Sequence, residues 1–69
     1  MSGKFKALRL AAGFTQKQMA DLLGVNQSQI CGWESGRFAP RATRIPMIAR
    51  VLGRDVSEVV NALLEDEEA

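Results

Sequence analysis

Apolar residues recur at helical spacing in five short runs along this chain, separated by glycine-containing polar breaks. The first run, Phe5, Leu8 and Ala12, predicts a helix from Ser2 or Gly3 through Ala12, with Lys4 and Lys6 toward solvent. Gly13 stops it. Thr15 is a hydroxyl residue placed to cap the next helix, and Phe14 before it can pack on Met19 as a hydrophobic staple. Met19, Ala20 and Leu23 give that second helix one apolar face, and Gly24 ends it in a tight turn. Val25 plugs the corner, Asn26 caps a third helix, and Ile30 and Trp33 face its inner side. Gln27, Ser28, Gln29, Cys31 and Gly32 are left on the outer side, which is rich in donors and acceptors. A fourth helix is expected from about Thr43, as its cap, to Leu52, with Pro46 in the first turn where its missing N–H costs nothing. Ile45, Ile48, Ala49 and Leu52 make its apolar side. Ser57 is placed to cap a fifth helix carrying Val59, Val60, Leu63 and Leu64.

The stretch Gln16–Ser35, QKQMADLLGVNQSQICGWES, resembles the helix-turn-helix of the phage-repressor and Cro-like family of DNA-binding proteins, called XRE. The matching residues are Gln16 at the start, Ala20 at the helix crossing, Gly24 in the turn, and Val25, Ile30 and Trp33 in the core. The similarity continues through LRLAAGFTQ upstream and WESGRFAPR and IARVLGRDVSEVV downstream, from about Phe5 to Leu64. The bland alternative is an ordinary helical hairpin in a small helical protein, and agreement over so much of the chain weighs against it. The resemblance implies an all-α fold, a compact five-helix lambda-repressor-like domain over residues 1–64, with the helix-turn-helix at helices 2 and 3. Residues 65–69, acidic and without apolar anchors, are expected to form a disordered tail.

Charge sharpens this picture. The overall net charge is only +1, but residues 1–54 hold all nine basic side chains against two acidic ones, and residues 55–69 hold six acidic ones and no basic one. A basic body of net +7 is the footprint of a phosphate-backbone binder, hidden in the total by an acidic end. Arg37, Arg41 and Arg44 fall within eight residues, and no acidic residue lies between Glu34 and Asp55 to pair with them locally. Phosphate contacts are expected from these three and from Gln16 and Lys17 at the second helix's N-terminus.

The resemblance also implies that the helix beginning at Gln27 lies in the major groove. Gln27 and Gln29 each carry an amide able to bond adenine bidentately, Ser28 discriminates less, and Cys31 can touch a base or a methyl group. Family members often read a base with the sixth residue of this helix. Here it is Gly32, which removes that contact and instead allows close approach to the duplex or a thymine methyl. In the family an arginine pairs with the glutamate after the second core residue, which implies an ion pair of Arg9 with Glu34. Phe38 is expected to anchor its loop in the core. The last helix has more apolar surface than the core needs, so Val56, Val60 and Leu64 either complete the core or join Pro46 and Met47 in a self-complementary dimer patch.

Sixty-nine residues make one domain near the lower size limit for folding without staples, and one cysteine excludes an internal disulfide. With no histidine and no tyrosine, and Cys31 lacking a general-base partner, catalysis is not expected. No cofactor or metal is implied. No apolar run is long enough to span a membrane and no signal-peptide pattern opens the chain, so a cytoplasmic location is expected. The expected function is sequence-specific binding of double-stranded DNA to regulate transcription, as a homodimer on a palindromic operator, in the manner of a small Cro-like or controller protein. A different class is kept open: an antitoxin-like module whose main partner is another protein held by the acidic C-terminal segment.

Overall fold

The structure, a computed structural model, describes residues 3–68. Five helices follow one another: α1 (Lys4–Ala11), α2 (Gln16–Leu23), α3 (Gln27–Ser35), α4 (Ile45–Leu52) and α5 (Val56–Glu68), with a single 3₁₀ turn, Ala42–Arg44, leading into α4. Each helix contributes one side chain with no solvent access: Phe5, Met19, Ile30, Ile48 and Val59. Burying a side chain of this size stabilises the fold by about 1.5–3 kcal/mol, so these five tie all the helices to one centre. Trp33 sets its ring edge-on to Phe5, with centroids 6.3 Å apart and planes at 83°, joining α3 to α1.

Local chemistry explains the boundaries. The Thr15 hydroxyl accepts from the Gln18 N–H at 3.0 Å, and the Gln18 amide oxygen accepts from the Thr15 N–H at 2.9 Å. This reciprocal pair satisfies two N–H groups at the start of α2. Gly24 ends α2 at φ 70°, a conformation that a Cβ would strain. Its neighbour Val25 donates to the Ala20 carbonyl at 3.0 Å and packs against the core, which fixes the turn into α3. Pro46 lies in the first turn of α4, as its lack of a donor favours.

Several expectations change. Thr43 does not cap α4; it lies in the 3₁₀ turn, and Arg44 is the residue before the helix. The last helix begins at Val56, ahead of Ser57, with the Glu58 carboxylate reaching back to the Asp55 N–H. Val60 and Leu64 do not complete the core: with Val56 they form an exposed row at i, i+4, i+8 on α5, and Pro46 and Met47 on α4 are exposed too.

The largest correction concerns residues 65–69. They were expected to form a disordered tail, but α5 continues through Glu68, while Ala69 lies outside the described residues. The reason is Asp66. Its buried carboxylate accepts from the backbone N–H groups of Lys4 at 2.7 Å and Phe5 at 3.0 Å, two of the donors left open at the start of α1. Gly3 has no side chain to do this, so a carboxylate from the far end of the chain serves as the cap and complements the helix dipole. Glu65 adds an exposed contact to Lys4 at 3.7 Å.

Candidate nucleic-acid interface

The helix-turn-helix places α3 across α2 with Ile30 and Trp33 inward, and this leaves Gln27, Ser28 and Cys31 exposed on one face. Gln27, in the first turn, is not a loose side chain. Its Nε2 donates to Oε1 of Gln16 at 3.4 Å, and Nε2 of Gln16 donates in turn to Oε1 of Glu34 at 3.0 Å. Glu34 also accepts from Arg9, from Nε to Oε2 and from Nη2 to Oε1 at 3.2 Å, while Nη1 of Arg9 donates to the Phe14 carbonyl at 2.7 Å. The Arg9 and Glu34 side chains are each only 6% exposed. The result is a chain of four polar groups running from the exposed start of α3 to a buried, bidentate ion pair on α1. Glu34 carries the anchorage of the whole row.

Gln27 keeps its own Oε1 and one N–H outside this chain, which is the pair of groups that adenine requires. Gln16 differs. Its Oε1 accepts from Gln27 and one N–H of its Nε2 donates to Glu34, so its side chain positions Gln27 and keeps one N–H for the expected phosphate contact. The start of α2 still presents the N–H groups of Gln16 and Lys17, which have no helical carbonyl one turn back. Lys17 is exposed, in a loose contact to Asp21 at 3.6 Å.

Two of the expected base-reading residues are placed otherwise. The Gln29 side chain is half-buried, and its Oε1 accepts from the Asn26 N–H at 2.9 Å. Its acceptor is therefore engaged in capping α3, which competes with a bidentate adenine contact. Gly32 is buried, not solvent-facing, because the ring of Phe38 lies over it. Phe38 itself is 47% exposed, so it does not anchor the loop in the core as expected but covers the outer side of α3. The residue type gave no sign of this. The signal lay in the pairing of a glycine on an otherwise polar helix face with an aromatic residue six positions later.

The basic side chains around α3 divide into two kinds. Arg37 and Arg41 are exposed, one at each end of the loop that follows α3. Arg44 is half-buried, and its Nη1 donates to the Leu23 carbonyl at 3.2 Å, at the C-terminal end of α2. A cation there satisfies an open carbonyl and the helix dipole, so Arg44 braces the turn as well as adding charge.

The family model described as "Helix-turn-helix" matches residues 5–59, from the first turn of α1 through the first turn of α5. The chain belongs to the XRE family of helix-turn-helix proteins. A relative from Methanothermobacter thermautotrophicus, an "Uncharacterized HTH-type transcriptional regulator", is 38% identical over 58 residues, 84% of each chain. No solved structure matches significantly. Membership of this family makes the chain a DNA-binding transcription regulator in general terms. Within the XRE fold the face of α3, flanked by Arg37 and Arg41, is its nucleic-acid interface candidate. No helix among the described residues is long and apolar enough to cross a membrane.

Proposed function

We propose that this XRE protein binds double-stranded DNA sequence-specifically as a homodimer and regulates transcription in the manner of a small Cro-like repressor. The observation that carries the proposal is the row from Gln27 through Gln16 and Glu34 to Arg9. A fold with no use for an exposed glutamine would not need to orient it through a buried ion pair. In this mode α3 enters the major groove, Gln27 bonds an adenine edge, and Ser28 and Cys31 make further base contacts. Lys17, Arg37 and Arg41 meet phosphates on either side, with the open N–H groups at the start of α2.

One short helix with a single oriented amide discriminates poorly. Two copies related by a twofold axis double the contacts and set the two helices about 34–36 Å apart, one turn of DNA. The exposed row of Val56, Val60 and Leu64, with Pro46 and Met47, supplies the self-complementary surface that such a dimer needs.

An antitoxin-like role would recruit a basic partner through the acidic end. The structure lends it less support than composition did, because Asp66 is buried as a cap and Glu65 contacts Lys4. Selection of bound sequences from a random DNA pool tests the proposal. The expected outcome is an imperfect palindrome with half-sites centred about one turn apart. Recovery of no preferred sequence would sink it.

A further inference from the structure

We infer that Phe38 is a specificity residue that reads the C5 methyl group of a thymine, taking over the place on α3 that Gly32 leaves empty. The inference rests on the DNA-binding function proposed above. Position 32 lies on the same outer side of α3 as Ser28, one helical turn further on, so whatever covers it faces the same way as the base-contact candidates. A Cβ added at Gly32 would overlap Cζ and Cε1 of the Phe38 ring, with Cε2 at 2.8 Å. The ring is therefore in closer contact with the helix than any other residue at 32 would permit. Backbone bonds hold it there. The N–H groups of Arg37 and Phe38 point to the Gly32 carbonyl at 3.0 and 3.5 Å, which pins the start of the loop to the same residue that receives the ring.

The outcome is an apolar surface, 47% exposed, beside a shallow cleft that it shares with Trp33, Ala39 and Pro40 and that Gln29 and Arg41 border. Core packing does not require it, since the core cluster closes without Phe38. A phenylalanine has no donor or acceptor, so it cannot read hydrogen-bonding edges. The apolar feature that a base pair offers in the major groove is the thymine methyl. A ring already immobilised against Gly32 makes that contact with little further loss of freedom. Arg41 beside it would hold the adjacent phosphate and set the ring's depth in the groove.

The test uses the full chain and the site selected from the random pool. Each thymine of the site is replaced in turn by deoxyuridine, which removes only the methyl group. Wild type is expected to lose about fourfold in affinity at one position in each half-site, the worth of one buried methyl. Phe38→Ala should bind the unmodified site more weakly and show no loss at that position. Gly32→Ala should behave alike because the added methyl displaces the ring; it improves helix propensity, so lost sensitivity would not reflect an unfolded helix. Circular dichroism and Trp33 fluorescence check the fold of both variants. A preferred site whose affinity is indifferent to every thymine methyl would overturn the inference, as would equal sensitivity in wild type and Phe38→Ala. Failure to select any site would overturn the proposed function itself, a distinguishable result.

Discussion

Nε2 of Gln27 donates to Oε1 of Gln16, so the first residue of α3 is aimed by the first residue of α2. With Gln27 as the proposed base reader, Gln16 would be coupled to specificity without touching a base. Gln27→Ala should lower affinity for the preferred site by about 1–3 kcal/mol and relax the base preference at one position per half-site. Gln16→Ala should relax the preference at that same position by a smaller amount. Titrations against single-base variants of the selected site separate the two, and equal weakening on all sequences would assign Gln27 to the backbone.

The Arg9 and Glu34 side chains are buried and joined by two hydrogen bonds, so deleting either leaves a buried charge without its counter-ion. Arg9→Ala or Glu34→Ala should destabilise the fold by about 3–5 kcal/mol in denaturant unfolding. In a double-mutant cycle the coupling should exceed about 0.5 kcal/mol, the range of exposed pairs. A smaller coupling would show that the pair does not hold α3 to α1.

The arginines should separate by experiment as they do in space. Removing Arg37 or Arg41 should weaken specific and non-specific binding alike and flatten the salt dependence by about one unit each, with stability unchanged. Arg44→Ala should in addition destabilise the fold by about 1 kcal/mol, because the Leu23 carbonyl loses its donor. An affinity independent of salt would remove the electrostatic basis of binding altogether.

Asp66→Ala should destabilise the protein by about 1–3 kcal/mol, since two N–H groups at the start of α1 lose a charged acceptor. Its neighbour Glu65 makes only an exposed contact, so Glu65→Gln should stay within about 0.5 kcal/mol. Urea unfolding of the two variants decides it: similar values would mean that the cap contributes nothing.

Leu64→Glu should leave the fold intact, because Leu64 is 51% exposed, while placing like charges across the proposed twofold axis. Sedimentation equilibrium on DNA-bound and free protein should show loss of the dimer, and affinity for the palindromic site should fall toward that for a half-site. An unchanged dimer would move the interface elsewhere.

The elements were legible in the sequence wherever local chemistry decides them. Thr15, Gly24, Asn26 and Pro46 act within a turn of where they stand, and the apolar spacing named Phe5, Met19, Ile30 and Ile48 as inward. The pairing of Arg9 with Glu34 was reachable only through the family resemblance, because nothing local to either residue points to the other. What was misread depends on distant partners. Asp66 looked like one more solvated acid because its partners are some sixty residues away. Gln29 looked free because an amide three residues after Asn26 serves a cap or a base equally well. Gly32 looked bare because the loop that covers it carries no periodic signal.

The contact between Asp66 and the first turn of α1 also sets an order of events during synthesis. Lys4 and Asp66 are 62 positions apart, so a growing chain can carry the entire helix-turn-helix while α1 still lacks its cap and α5 has not yet packed. Gly3 makes no side-chain cap of its own, so the N–H groups of Lys4 and Phe5 wait for Asp66. Arg9, which anchors α3 through Glu34, sits on that same α1. A copy cut short of Asp66 should therefore keep the Arg9–Glu34 pair but fray at the start of α1, which loosens the scaffold beneath α3.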